Sequence, residues 1–303
     1  MNTLIIHNFT LLIDSMYLEK PPNYSFKVNS FKKTIEIIKN LDFDIIDIEQ
    51  IKDIKGIGKG TLNRIKEIIE NGSLKDNSIL NINDDFKLLQ TITGIGPAKA
   101  KTLIEKNITF NNLINNPSLE ILNELTHHQK LGLKYYYDLQ KKIPREVITS
   151  FLNILQKYDI DFTICGSYRR EKLLSSDIDV LILEKDFTLK SIIDKLKKDN
   201  ILVDDLTTEG ETKYMGIAKI PNFNQFVRID IRLISKKSFP FAVLYFTGSK
   251  KTNTYMRNIA IKSNLKLSEY NLLDKTTNKP IYLSSEKDIF KYLKIPYIEP
   301  NKR

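Results

Sequence analysis

The chain has 303 residues, 41% of them hydrophobic, enough for two domains or one domain with several subdomains, each with a buried core. Its 47 Lys and Arg against 37 Asp and Glu leave a formal charge of +10, which favours a polyanionic partner. The apolar runs fall far short of the ~20 residues of a membrane-crossing helix, and the single cysteine, Cys165, excludes an intrachain disulfide and, with three histidines, argues against a zinc site.

Residues 1–16 contain an apolar patch, Leu4-Ile5-Ile6 and Leu11-Leu12-Ile13, with no basic segment before it. It reads as a segment packed onto the first domain rather than a signal peptide. Phe31, Ile35 and Ile38 stand at helical spacing within residues 26–40. Two similar units follow, each an apolar stretch, a glycine turn and a helix. Gly56-Ile57-Gly58 runs into Thr61 to Glu70, and Gly94-Ile95-Gly96-Pro97 runs into Ala98 to Lys106. Everything before about residue 144 reads as helical. Beyond Pro144 a helix, Val147 to Tyr158, leads into short apolar or alternating runs at 163–165, 178–183 and 227–234, which read as strands. Helices are expected at 189–198, 254–264 and 286–293. The fold class is therefore multidomain, a helical part followed by an α+β part.

The two glycine turns carry the first functional signal. Gly-x-Gly opening a helix allows a tight turn and leaves free backbone N–H groups facing outward, where they bind a phosphate without reading a base. Gly56, Gly58 and Lys59 in the first copy, and Gly94, Gly96 and Lys99 in the second, are the candidate DNA contacts.

The second signal is a pair of carboxylates. Asp177 and Asp179, two residues apart on a strand, share a face while Ile178 and Val180 point into the core. Adjacent carboxylates are costly unless a cation neutralises them, and magnesium suits oxygen ligands. Asp230 stands between Arg228 and Arg232 on another expected strand, and those arginines should favour its ionised form. Asp-x-Asp alone reads more readily as a capped or solvated turn. A third Asp, with Gly166-Ser167 and Arg169-Arg170 upstream, points to a metal site instead. Cys165, before that turn, reads as an inert buried thiol, His127-His128 as a turn touching packing or DNA, and Tyr135-Tyr136-Tyr137 as helix packing.

These stretches, with His127 to Tyr135, Ile143-Pro144-Arg145-Glu146, Gly210 to Gly216, Tyr245-Phe246-Thr247-Gly248-Ser249, Met256-Arg257 and Ser285 to Phe290, resemble the DNA polymerase beta family. These are the family X polymerases of the nucleotidyltransferase superfamily, and the resemblance runs from about residue 26 to the C-terminus. It implies a lyase-like helical domain at 1–79, a second helix-hairpin-helix subdomain at 80–144, a catalytic palm at 145–236 and a small α+β subdomain at 237–303 that binds the nascent base pair. It further implies a template-directed polymerase that fills short gaps in DNA repair, acting as a monomer on gapped or nicked DNA and dNTPs, with a DNA ligase as a conceivable partner. Compartment is read only as intracellular, nucleus or cytoplasm.

By the same resemblance Asp177 and Asp179 bind two magnesium ions and Asp230 the catalytic one. Lys142, Ser167, Arg170 and Ser175 hold the triphosphate, with a backbone contact from Ser176, where the family usually has glycine. Tyr245, Phe246 and Gly248 pack on the sugar, Asn253 contacts the base, Arg228 orients the primer end and Arg257 contacts the template strand. Glu269 and Tyr270 support the closed state. Hairpin carbonyls of Lys52, Ile54 and Ile57, then Gln90, Ile92 and Ile95, would hold Na⁺ or K⁺. The family's 5′-deoxyribose-phosphate lyase uses a lysine where this chain has Arg64, which stays protonated and cannot form a Schiff base. Gly60, Phe26 and Phe31 also depart from the pattern, and Lys27 is kept. Loss of the lyase is expected, with Lys59 or Lys66 as the alternative amines. A template-independent terminal transferase and a non-enzymatic DNA-binding scaffold are the rival readings.

Overall fold

The apolar patch at the start of the chain becomes a core helix. In a computed structural model, which describes residues 1–74, 84–208 and 210–303, α1 (Asn2–Glu19) turns Ile5, Phe9, Leu12, Ile13 and Met16 to one side. They pack on Val28, Phe31 and Ile38 of α2 (Tyr24–Lys39), as a segment packed onto the first domain should. Among the described residues no helix is long and apolar enough to cross a membrane.

Contacts divide the chain into two units, residues 1–129 and 130–303. The boundary expected at 79/80 lies outside the described residues. In the first unit α3 (Lys59–Asn71) starts directly from the first glycine turn, buries Ile65 and Ile68, and stops at Gly72 in the left-handed region. Asn8 of α1 fastens that end, its side-chain oxygen accepting from the Leu74 N–H at 3.2 Å. Then come α4 (Asp84–Leu89), α5 (Pro97–Glu105) from the second glycine turn, α6 (Phe110–Ile114), α7 (Leu119–Asn123) and α8 (His127–Lys134). Every described element before Ile143 is helical, as expected.

The second unit continues with α9 (Tyr136–Leu139), a two-residue strand β1 (Ile143–Pro144) and α10 (Arg145–Leu155). Next come β2 (Phe162–Ile164), α11 (Gly166–Arg169), β3 (Leu174–Ser175), β4 (Ile178–Leu183), α12 (Leu189–Lys198), β5 (Leu202–Asp205), β6 (Lys213–Lys219) and β7 (Phe226–Ile234). The five-stranded sheet has the order β2-β4-β7-β6-β5; β4 and β7 are parallel and the other pairs antiparallel. Strict alternation along β7 puts Ile229 and Ile231 on the face covered by α10 and α12, together with Ile178 and Val180 of β4. The carboxylates are left on the opposite face.

The chain closes with α13 (Phe239–Thr247), α14 (Lys250–Lys262), the antiparallel strands β8 (Leu265–Leu267), β9 (Leu272–Asp274) and β10 (Lys279–Ile281), and α15 (Glu286–Tyr292). Phe241, Met256, Leu272, Ile289 and Phe290 form their core. α14 begins four residues earlier than expected because Ser249 caps it, its hydroxyl accepting from the Thr252 N–H at 3.4 Å.

Candidate active site and DNA-contacting turns

The parallel register of β4 on β7 places Asp179 directly opposite Asp230. Asp177 lies in the bend just before β4, where the Arg228 guanidinium pairs with its carboxylate. Burial pushes the Asp179 carboxyl up to about 7, helped by the neighbouring charges of Asp177 and Asp230 and opposed by Arg228 and Arg232. Asp230 is raised as well: burial outweighs the arginines that were expected to keep it ionised, although Arg228 and Arg232 do act in that direction.

The donor set fits a hard divalent cation. Asp230 Oδ1 is buried without a hydrogen-bond partner, the kind of orphaned oxygen a metal satisfies. Among the described residues no three acidic, His or Cys side chains are closed into a ready cage, and Asp177 is paired with Arg228. Gly166 shapes the wall behind the pair. Its φ of +57° is left-handed, and a Cβ there would fall on the Asp179 carboxylate.

The expected triphosphate ligands surround α11 and the β1–β3 ladder. Ser167 Oγ donates to Ser175 Oγ at 2.7 Å, and Lys142 Nζ donates to Ser176 Oγ at 2.6 Å. Arg170 donates to the Thr247 carbonyl at 2.6 Å, which joins this cradle to the turn at Gly248. That turn has φ +70° at Gly248 and a cis bond to Ser249. Asn253 donates to the Tyr245 carbonyl at 2.7 Å, and the Arg257 guanidinium lies 4.9 Å from the Tyr245 ring centre. Arg232 sits 4.7 Å from the Phe246 ring centre. A cavity of about 610 Å³ gathers Arg257, Glu269 and Tyr270 on its wall. Cys165 is buried, and burial pushes its thiol up to about 12, so it is inert.

One group escaped the sequence reading. Glu286, 8% exposed, accepts from both arms of Arg169 at 2.9 and 3.2 Å, from Arg303 at 2.5 Å and from Tyr297 at 3.0 Å. Arg169 and Glu286 both stand in motif stretches, but nothing local links positions 117 residues apart.

In the first unit both glycine turns are exposed, with φ +105° at Gly56 and +89° at Gly94. Gly58 and Gly96 cap α3 and α5 without a side-chain bond, so first-turn N–H groups stay open to an anion. Gln129 holds the second turn, donating to the Gly94 carbonyl at 3.0 Å. Lys59 is exposed, whereas Lys99 donates to the Glu124 carbonyl. The Ile54 and Ile92 carbonyls each accept one turn N–H, at 3.1 and 3.0 Å, leaving one lone pair for a cation. Lys52 is engaged with Glu49 at 2.5 Å and Gln90 donates to the Phe86 carbonyl at 2.8 Å. Arg64 donates to the Gly60 carbonyl at 3.1 Å and lies 5.4 Å from the Phe31 ring centre, while Lys66 faces Glu70 at 3.7 Å.

Known sequence families cover nearly the whole chain. Residues 1–74 match a helix-hairpin-helix domain, 87–140 the fingers domain of DNA polymerase lambda, 141–236 the DNA polymerase beta palm and 242–303 the DNA polymerase beta thumb. The helix-hairpin-helix match alone reaches back to residue 1, ahead of the polymerase resemblance expected from about residue 26. The chain is 29% identical over 308 residues to DNA polymerase lambda of Arabidopsis thaliana, covering 90% of this chain and 57% of that protein. It is 29% identical over 300 residues to that of Rattus norvegicus, covering 90% and 52%. It is 25% identical over 341 residues to DNA nucleotidylexotransferase of Monodelphis domestica, covering 93% and 65%. The chain thus spans about half the length of the curated polymerase relatives it matches.

Proposed function

Since the chain belongs to the family X DNA polymerases, we propose that it is a template-directed polymerase filling short gaps during DNA repair. The observation that carries this reading is the buried, mutually repelling pair Asp179 and Asp230 with Asp177 beside it, on the face of the sheet opposite α10 and α12. The primer 3′-oxygen attacks the α-phosphorus of a dNTP, the new P–O bond forms, and pyrophosphate leaves. Asp230 accepts the hydroxyl proton. Asp177 and Asp179 would hold two magnesium ions, with Asp230 on the catalytic one. Magnesium bound there supplies a lowered pKa at the hydroxyl and neutralises phosphate charge.

Lys142, Ser167, Arg170 and Ser175 grip the triphosphate, with the backbone of Ser176. Tyr245, Phe246 and Gly248 pack on the sugar, Asn253 meets the base, Arg228 the primer end and Arg257 the template. Segments 1–79 and 80–144 hold the two sides of the gap through their glycine turns, with a monovalent cation at each hairpin. Segment 145–236 carries the chemistry, and 237–303 binds the nascent pair. The lyase step is lost with Arg64, and the nick that remains is a substrate for a DNA ligase. The chain acts inside the cell as a monomer.

Primer extension on a one-nucleotide gap, with and without a 5′-phosphate, tests the palm and the grip together. Template-dependent incorporation that improves with the 5′-phosphate is expected. Equal extension without a template strand would favour the terminal-transferase reading, which the match to a nucleotidylexotransferase supports at lower identity.

A further inference from the structure

Behind the proposed phosphate and sugar contacts lies a carboxylate that reaches neither. Glu286 is the first residue of α15, and its oxygens accept from buried or half-buried donors: Arg169, Arg303 and Tyr297. The Arg303 side chain is 0% exposed, donates through Nε to the Ile298 carbonyl at 2.8 Å and lies 5.2 Å from the Phe290 ring centre. That end of the network is fixed.

The other end is Arg169, the last residue of α11. While both its arms meet Glu286, its Nη1 also donates to Thr247 Oγ1 at 2.6 Å. Arg170 holds the carbonyl of the same Thr247. Thr247 is fully buried and ends α13, so the residues on either side of it, Tyr245, Phe246 and Gly248, take their place from these two bonds. α11 itself begins at Gly166, against Asp179, and carries Ser167. One buried carboxylate thus governs a short helix under the triphosphate and a turn under the sugar.

An ion pair in this setting is a weak source of stability, because desolvating the charges cancels most of their attraction. What a bidentate carboxylate does provide is a fixed orientation for the planar guanidinium fork, which an apolar residue or a single hydrogen bond does not. We infer that Glu286 is a positioning residue for nucleotide binding and sugar discrimination, acting through Arg169 on Thr247 and α11. The inference rests on the polymerase reading above.

The test is single-nucleotide gap filling by the full chain, with dNTP and rNTP, for wild type, Glu286→Gln, Arg169→Lys and Thr247→Val, each normalised by active-site titration. Glu286→Gln is expected to raise KM for dNTP about tenfold, the scale of one charge-assisted hydrogen bond, with a smaller change in kcat and a reduced dNTP/rNTP ratio. Arg169→Lys combined with Glu286→Gln should add little to either alone. Thr247→Val leaves the ion pair intact and should reproduce part of the lost discrimination, which keeps the inference testable if Glu286→Gln folds poorly. A purely structural role predicts fewer active molecules with unchanged KM and discrimination, and that result overturns the inference while leaving the polymerase reading standing. A wild type that incorporates nothing on any gapped substrate sinks the polymerase reading and this inference with it.

Discussion

Asp179 and Asp230 face each other in register across the parallel pair β4 and β7, with Asp230 Oδ1 buried and unpartnered. Two carboxylates held this way destabilise the metal-free protein, so a divalent cation should stabilise it by mass action. At a hundred times its Kd, magnesium contributes about 2.7 kcal/mol, a rise of several degrees in the thermal midpoint that EDTA reverses. Asp230→Asn removes one of the repelling charges. The metal-free variant should be at least as stable as wild type, lose the magnesium-dependent rise, and lose incorporation by about a thousandfold, several kcal/mol of transition-state stabilisation. Full incorporation by this variant would exclude the assigned role.

Gly166→Ala tests the wall behind that pair. A methyl there meets the Asp179 carboxylate and also forces a non-glycine residue to φ +57°. A cost of about 1–3 kcal/mol in stability is expected, together with weaker magnesium binding, measured by titration calorimetry. Alanine at Gly58, where a Cβ meets nothing within 4 Å and φ is extended, is the control and should leave both unchanged.

Much of this site was legible before folding because period-2 alternation alone decides which side of a strand each residue takes. Ile178, Val180, Ile229 and Ile231 fixed the orientation of Asp179 and Asp230 without any three-dimensional information. The repeated Gly-x-Gly announced both hairpins for a similarly local reason, a backbone demand that only a few residues meet. β5, β6 and β8–β10 were not foreseen as strands: β6 contains Gly216, and the others are three or four residues long with charged positions, too short to show a period. The Glu286 network was invisible because its bonds join residues far apart in the chain, and side-chain pairing at that range leaves no local pattern.

The hairpins give a salt-dependent prediction. Gly94→Ala must leave a conformation of φ +89° and would press within 3.1 Å of His128 and 3.3 Å of Gln129, disturbing the turn that Gln129 holds. Affinity for gapped DNA, followed by fluorescence anisotropy, should fall severalfold at all sequences alike, as the proposed backbone contact to phosphate requires. Lys59→Ala should lower the slope of log affinity against log salt by about one, as one phosphate contact is lost. An unchanged slope would remove Lys59 from the interface.

Glu286 also sets a pH dependence. Burial works against its charge, but the bonds from Arg169 and Arg303 win and hold the carboxyl below its usual value of 4.5. A group depressed on folding contributes stability that is fully present above the unfolded pKa and is lost as pH falls through the folded one. Unfolding free energies of wild type and Glu286→Gln, measured by denaturant titration, should therefore differ most above pH 4.5, by about 3 kcal/mol, the scale of breaking a buried pair, and converge in stronger acid. A difference that does not shrink in acid would show that the charge is not what Glu286 contributes.

The position expected to hold the lyase lysine gives the last prediction. Arg64 is fastened to the Gly60 carbonyl and stacked toward Phe31, and its guanidinium does not deprotonate near neutral pH. Lys66 is solvent-exposed and faces Glu70 at 3.7 Å, and Lys59 is exposed at the start of α3, where a phosphate contact is the ordinary role of a lysine. Neither has the buried, cation-flanked setting that makes a lysine nucleophilic. Borohydride added to the chain with a pre-incised abasic substrate should trap no covalent adduct. Arg64→Lys removes the charge restriction while Gly60, Phe26 and Phe31 still depart from the family pattern, so trapping by that variant should be weak. A strong adduct on the unmodified chain, lost in Lys59→Ala or Lys66→Ala, would show that one of these amines has taken over the chemistry.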